Sequence, residues 1–541
     1  MALLLTSVFA PYGIDDDYGR KENKMELFHN QVTREQGIFS YRFHHPSQNL
    51  YFLAENIKEP STILDFPSLR RFKKELKKNY EYVGITFIVP NFKKAQLMAK
   101  LVREISPESK IILGGHGTNI KEIEKLIEHD YICKGEGVDF LRKILGEDKD
   151  GTSLATTPIK HPLIHSAFNR KVMGVPLPRD SGILITGVGC ANRCRFCATA
   201  HFFGQYIPYL KTGKEIFDVC CNFQKELGVT DFGVLDENFL KMPNRALELL
   251  NEMEKHQRFF TFAVFSSAET LLALPNLDIL NRLGITFIWI GVESKKEIYT
   301  KNKGVDFKKL ISDLKNRGIS VLASAILFLE EHDKVTIHDD IDFVIGLRPD
   351  YLQFMQLGPM PGTTLYDDYE QKGKLCDNVE YEEKHGQDKI WFTHPNFSRE
   401  DSKIFLKNAF KLDYETNGAS FLRAIETTIN GYNYSINHTH PNIKGRALEK
   451  KKFLKMIRWF MLSSLIFAEN KKTKEQVLEL KSKLKEILGP TTIIDYVISF
   501  VVLLFGIKEY LKLYIFGDYR RPSSHKYTYK NNLLFLQNNE E

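Results

Sequence analysis

The sequence predicts an α/β protein in three parts: a Rossmann-like N-terminal domain, a partial (β/α)6 TIM-like barrel and a helical C-terminal domain. Three observations carry that reading. Strand-like runs alternate with helical periodicity over residues 82–145, the pattern of a doubly wound parallel sheet. The rhythm restarts at 181 and repeats six times, short of the eight units of a closed barrel. Beyond 395 strand signals fade and helical periodicity dominates. The boundaries expected are 1–150, a linker at 151–180, the barrel at 181–394 and the helical domain at 395–541.

In the first part, MALLLTSVFAPYG reads as a first β-strand. It lacks the basic flank and small-residue cleavage site of a signal peptide. YVGITFIVP (82–90) is a buried strand, and Ala95, Leu97, Met98, Leu101, Val102 and Ile105 follow at helical spacing. KIIL (110–113) is the next strand, ending in the loop GGHGTN. A helix is expected over about 120–129, then the strand DYIC (130–133), the turn KGEG (134–137) and a further helix. Ligands of such sheets sit at the carboxyl ends of strands, where both glycine loops lie. Neither loop matches G-x-G-x-x-G, so a dinucleotide is not indicated. Residues 146–180, with DKDGTSLATTP and VPLPRD, show no periodicity.

In the second part the strands expected are 182–186, 230–235, 261–265, 285–290, 319–327 and 350–357. Amphipathic helices are expected near 213–227, 243–256, 306–317 and 336–346. In the third, KGRALEKKKFLKMIRWF (444–460) is a basic amphipathic helix. IIDYVISFVVLLFGI (493–507) is apolar apart from Asp495, and short of the ~20 residues that span a bilayer.

Composition sets outer limits. With 541 residues, 43% hydrophobic and 26% charged, the chain can bury several cores and is not disordered. Its net charge of +7 does not define a partner. Seven scattered cysteines do not make a disulfide framework; they fit a reduced, cytoplasmic chain with one local metal-binding cluster.

That cluster is GVGCANRCRFCAT, with Cys190, Cys194 and Cys197 spaced C-x3-C-x2-C just after the first barrel strand. Three thiolates suit an iron–sulfur cluster with one iron left open for a ligand. The alternative is a zinc site completed by Cys220, Cys221 or His201. The motif CANRCRFC in this context resembles the radical S-adenosylmethionine (SAM) superfamily. The resemblance implies a 4Fe-4S cluster whose open iron chelates SAM, and reductive cleavage of SAM to methionine and a 5′-deoxyadenosyl radical.

The resemblance also assigns roles at the barrel-strand ends. Phe196 would pack near the adenine. Asp236, Glu237 and Asn238 in LDENF follow the second strand and are candidates for the SAM amino group. Ser266 and Ser267 follow the third, and Gly291, Glu293 and Ser294 in IGVES the fourth, near the ribose. LGPMPGTTLY (357–366) looks like the family's substrate-closing loop.

The N-terminal segment VGITFIVPNF…KIILGGHGT…YICKGEG looks like the cobalamin-binding domain fused ahead of many radical SAM enzymes. Gly114, Gly115, Gly135, Glu136 and Gly137 match its cofactor-contacting positions. The D-x-H-x-x-G motif that supplies cobalt's lower histidine is absent, and His116 reads as a polar loop residue. The aromatic and histidine residues of 14–60 (Phe28, His29, Tyr41, His44, His45) would cap this site.

The expectation is therefore a cobalamin-dependent radical SAM methyltransferase acting on an unactivated carbon of a lipid or other hydrophobic molecule. The alternatives are radical coupling or cyclisation without methyl transfer, and a non-catalytic sensor. A flavodoxin- or ferredoxin-type reductant is implied as partner. The C-terminal basic and apolar segments suggest peripheral association with the inner face of the cytoplasmic membrane. No RNA-binding signature is evident, and the scattered Cys133, Cys220, Cys221 and Cys376 make no second cluster for methylthiolation.

Overall fold

The structure is a computed structural model. It describes residues 3–10, 17–18, 31–41, 46–148, 153–165, 171–177, 181–296, 299–517, 525–530 and 533–536.

The N-terminal domain runs β1 (Leu3–Thr6), α1 (Gln48–Glu55), β2 (Ser61–Asp65), α2 (Leu69–Leu76), β3 (Tyr82–Thr86), α3 (Phe92–Ile105), β4 (Lys110–Gly114), β5 (Tyr131–Ile132) and α4 (Gly137–Ile144). Its parallel strands stand in the order β2-β1-β3-β4-β5. Strand order reverses about β1, so a crevice opens at the carboxyl ends of β1 and β3, the usual ligand position of such sheets. β1 is wholly buried, as expected for a strand covered on both faces. β2, not foreseen from sequence, is equally buried.

The helix expected over 120–129 shrinks to one turn at Ile123–Leu126, preceded by a 3-10 turn at His116–Asn119. Glu122 stands between them with φ at +57°, which an α-helix cannot contain. The crowded Gly117 explains the tight turn before it. A Cβ there would lie 2.2 Å from the Phe87 ring.

The barrel strands are β6 (Ser181–Leu184), β7 (Asp231–Val234), β8 (Thr261–Phe265), β9 (Ile285–Glu293), β10 (Ser320–Leu327) and β11 (Tyr351–Gln356). They form one open sheet in sequential order, every pair parallel. Crossovers include α5 (Gly213–Leu227), α6 (Pro243–Lys255), α7 (Phe307–Asn316) and α8 (Thr336–Gly346). α5 begins with a reciprocal Thr212–Glu215 capping box and ends at left-handed Gly228, the two devices that delimit a helix most sharply. Cys220 is fully buried on α5 in the barrel core and is structural.

The described residues of the linker region carry secondary structure. They hold a turn of helix at Ser153–Thr156 and a hairpin, Lys171–Val172 with Val175–Pro176. Val172 and Met173 pack into the helical domain's core. After β11 come α9 (Thr364–Gln371), α10 (Arg399–Asn417), α11 (Ser420–Ile436), α12 (Pro441–Arg458), α13 (Met461–Ile466), α14 (Lys471–Leu488) and α15 (Ile493–Phe516).

The last part is helical only to residue 516. β12 (His525–Lys530) then pairs antiparallel with β2, and β13 (Leu533–Leu536) with β12, extending the N-terminal sheet to seven strands. The cap expected from 14–60 divides likewise. Phe28, His29, His44 and His45 lie outside the described residues. Tyr41 packs against Tyr351 and Phe421. It is α1 that reaches the crevice.

Arg423 joins barrel to helices. Its guanidinium donates to both carboxylate oxygens of Asp413 (3.0 and 2.8 Å), to the Asp350 carbonyl (3.0 Å) and to Ser420 Oγ (3.0 Å). Both charges are fully buried. Asp413→Ala leaves the guanidinium uncompensated and is expected to cost about 3–5 kcal/mol, whereas the paired replacement Arg423→Met/Asp413→Leu costs less. Urea unfolding followed by circular dichroism measures both.

Candidate functional site at the domain interface

The carboxyl ends of the two sheets face each other across one cavity of about 470 Å³. On the N-terminal side it is walled by Leu53, Thr86, Gly114, His116 and Gly135; on the barrel side by Val188, Thr199, Phe202, Phe203, Leu235 and Glu237. The lining is mainly apolar. The domains are clamped around it by Lys93 with Glu380 (3.2 Å), Lys121 with Glu370 (2.9 Å) and the Phe92–Tyr381 ring contact.

The glycine loops differ in what they demand. Gly115, at φ +87°, would place a Cβ 2.5 Å from the Phe87 carbonyl, so glycine is required there by the protein itself. At Gly114 the nearest atom is Cys133 Cβ at 4.0 Å, and at Gly135 it is the Phe202 carbonyl at 3.5 Å. These two present open backbone to the cavity, a surface on which a large flat ligand can lie closely. Gly137 packs on Leu53, and Glu136 is already committed. Its carboxylate caps α4, accepting from the amides of Val138 and Asp139, and accepts the Tyr209 hydroxyl from the barrel.

His116 is more than a polar loop residue. Its ring stands edge-on to Phe202 at 4.6 Å, its Nδ1 is buried without a partner, and burial lowers it to about 4. The cavity wall thus carries a neutral imidazole.

Across the cavity, the half-buried Cys190, Cys194 and Cys197 lie on the loop 189–197 after β6. Burial raises all three thiols, Cys197 to about 11. Among the described residues no three His, Cys, Asp or Glu side chains converge as ligands of one ion. Three thiol donors on one loop are the donor set of an iron–sulfur cluster that leaves one iron open, and the residues present fit that group. Of the alternative zinc ligands, Cys220 is in the core and His201 Nδ1 is bonded to the Cys197 carbonyl.

The other predicted residues fall into two sets. Asp236, Asn238, Ser266, Ser267 and Ser294 are buried and bonded within the protein. Asp236 pairs with Arg245 at 2.8 Å and accepts from Thr186 and Tyr206, both at 2.7 Å. Asn238 donates to Ser267 at 3.0 Å and accepts its amide, with Ser266 beside it. Ser294 accepts the Lys296 amide.

Glu237, Glu293 and Phe196 lie closer to the cysteines. Glu237 is exposed and lines the cavity, with protein packed closely around it. Burial, then the Asp236 charge, raises it to about 7. Glu293 ends β9 at φ +63°, beside a register shift. A non-glycine residue held there is strained, and such strain gathers at functional sites. Its carboxylate holds Lys301 at 2.5 Å. Gly291 makes the room: a Cβ would lie 2.3 Å from that carboxylate. Burial alone would lower the Lys301 ammonium; Glu293 outweighs it, and the net shift is upward. Phe196 stacks edge-on against Tyr299 at 5.1 Å. Lys301, Tyr299 and Arg245 were not foreseen, because each reaches its partner through the fold and belongs to no local motif. The loop after β11 is pinned to the cysteine loop, Leu365 N donating to the Arg195 carbonyl at 3.1 Å and Asp368 pairing with Arg195 at 2.9 Å.

This pairing of domains around one cavity is similar in fold to a radical SAM methyltransferase, and the chain is similar in sequence to a cyclase and a methyltransferase. The anaerobic magnesium-protoporphyrin IX monomethyl ester cyclase of Rubrivivax gelatinosus is 21% identical over 337 residues, covering 56% of this chain and 60% of its own. The bacteriochlorophyllide d C-8(2)-methyltransferase of Chlorobaculum tepidum is 27% identical over 330 residues, covering 55% and 70%. The fold matches that of the radical SAM methyltransferase TsrM from Kitasatospora setae, solved with tryptophan and a SAM analogue, with a TM-score of 0.51, 14% identity and coverage of 84% and 99%. No protein-family model matches the chain.

The raised Glu237 has a signed consequence. A carboxylic acid with a folded pKa above its unfolded value of 4.5 binds its proton more tightly when folded. Its contribution favours the folded state at low pH and is lost as pH rises through about 7. Glu55, also raised to about 7, titrates in the same window. Metal-free Glu237→Gln is therefore expected to lose less stability than the wild type between about pH 5 and about pH 8. Urea midpoints across that range, under anaerobic reducing conditions, check the difference.

Proposed function

We propose that the protein is a cobalamin-dependent radical SAM methyltransferase that modifies an unactivated carbon of a hydrophobic substrate. The observation that carries the reading is the single cavity bounded by open glycine backbone on one side and by residues adjoining the cysteine loop on the other.

In this reading Cys190, Cys194 and Cys197 hold a 4Fe-4S cluster, and Phe196, Glu237, Gly291 and Glu293 surround SAM. Asp236, Asn238, Ser266 and Ser294 hold the strand ends in place behind them. Cobalamin lies against Gly114, Gly115, Gly135 and Gly137, with Glu136 fixing the loop. Cluster and SAM supply a hydrogen-abstracting radical when bound, and cobalamin supplies the methyl group. The chain's own work is to orient and to exclude water. Glu293 and Lys301 bring a carboxylate and an ammonium to the cysteine side, and both are shielded from solvent. Phe202, Phe203 and Phe265 give the cavity an apolar lining that disfavours water, and exclusion of water protects a radical from quenching by solvent.

The apolar lining supports a hydrophobic substrate. So do two relatives named for work on protoporphyrin and bacteriochlorophyllide. Electrons would come from a small flavodoxin- or ferredoxin-type donor. The chain spans about 60% of the cyclase's length, so the substrate is settled by assay.

With reductant, cobalamin and SAM under anaerobic conditions, a hydrophobic extract should yield both 5′-deoxyadenosine and S-adenosylhomocysteine. Deoxyadenosine alone would replace methylation with radical cyclisation or coupling. Gly114→Leu tests the cofactor's place. The fold tolerates a Cβ there, so the variant should keep its iron while its corrinoid affinity falls by about tenfold or more, the scale of one lost close packing contact. Visible absorbance and metal analysis read the two separately.

A further inference from the structure

The last long helix, α15, is fastened to the protein by its small and polar residues. Asp495, Ser499, Val502 and Gly506 recur at helical spacing and form its buried stripe. Asp495 accepts from Trp459 Nε1 at 2.8 Å and from Arg458 at 3.3 Å. Gly506 lies so close to Phe467 that a Cβ would sit 2.7 Å from the ring. The bulky side chains turn outward: Ile493 is 83% exposed, Phe500 56% and Tyr514 81%. Surface helices ordinarily bury the apolar side and show the polar one. Here the order is inverted along most of a helix of 24 residues, about 36 Å, with Ile498, Val502 and Leu513 the bulky side chains on the packed side. Among the described residues nothing covers this face. An apolar patch of that extent marks a binding surface.

Charge decides what binds. Residues 441–516 hold fifteen lysines and arginines against seven acids, a surplus larger than the +7 of the whole chain. Arg458 donates to the carbonyls of Leu484 and Gly489, so the ends of α12 and α14 meet the start of α15. Exposed Lys455 and Lys485, in the last turns of those helices, are brought to the region of Ile493 and Ile494. Exposed Lys508 and Lys512 stand towards the other end. A second copy docked by two-fold symmetry would set this basic patch against its own image. A surface that is both anionic and apolar satisfies lysines and bulky side chains together, and Tyr496 and Tyr514 suit its boundary. Among the described residues no helix is long and apolar enough to cross a membrane.

We infer that α15 lies in the plane of an anionic bilayer surface. Its apolar face enters the headgroup–acyl boundary, and Lys455, Lys485, Lys508 and Lys512 meet the headgroups.

Flotation of the full-length protein with vesicles tests this without reference to catalysis. Binding to phosphatidylcholine vesicles containing phosphatidylglycerol should be about tenfold tighter or more than to phosphatidylcholine alone, since each interfacial lysine adds favourably, and should weaken with salt. Phe500→Asp/Leu504→Asp should abolish it with an unchanged thermal transition. Should that variant not fold, Phe500→Trp reports directly, its emission shifting to the blue on anionic vesicles. Equal binding of the two vesicle types, binding undiminished by the double aspartate, or no blue shift would each overturn the proposal. So would an absence of vesicle binding with a dimer that Leu504→Asp dissociates, which would assign the face to a second copy.

Discussion

The site depends first on a buried carboxylate whose oxygens both accept from the protein's own donors. Asp236 gathers Thr186 from the end of β6, Tyr206 from the segment after the cysteine loop, and Arg245 from α6. Arg245 also donates to the Tyr206 hydroxyl at 2.8 Å. An ion pair taken so far from water needs its remaining donors and acceptors used, and here all but Arg245 Nε are, with Leu210 and Phe239 carbonyls and the Asn238 amide completing the set. The result is a rigid knot at the mouth of the barrel. It fixes where the cysteine loop leaves the first strand, and it turns the neighbouring Glu237 towards the cavity. A looser tie would let the loop drift relative to the second strand, and the two halves of the site would lose register.

The open barrel is the second constraint. Six parallel strands cannot close on themselves, so the carboxyl ends leave a wide mouth needing a cover. A doubly wound domain has its own ligand crevice at its carboxyl ends. Setting one against the other solves both geometries at once, and the apolar residues of each rim form a common lining. On the barrel side Glu293 is held left-handed beside a bulge and anchored by Lys301. On the N-terminal rim of the cavity glycine occupies the left-handed positions at 115 and 135.

What could be read in the sequence was whatever local pattern encodes. The six barrel strands, the cysteine loop and the glycine loops each carry their signal within a few residues, and the structure has them in those places. Tertiary choices were not readable. Glu136 sits in a turn that looks the same whether its carboxylate contacts a ligand or caps a helix; in the structure it caps α4 and also accepts the Tyr209 hydroxyl. His116 looked like loop filler until Phe202 closed over it. The helix expected after it failed because backbone at Glu122 turned left-handed, which an exposed Lys-Glu pair does not announce. β2 escaped notice because five residues bounded by polar turns give little periodicity.

The pairing of β12 with β2 was equally hidden, and it has a temporal side. β2 is an edge strand of the N-terminal sheet until residues from the far end of the chain arrive to cover it. During synthesis that edge, with its unpaired amides and carbonyls, stays open while the barrel and the helices are still being made. Closure of that edge therefore waits until residues beyond 525 have been made. The edge open to mispairing between nascent chains is sealed only after the barrel and the helices have been translated.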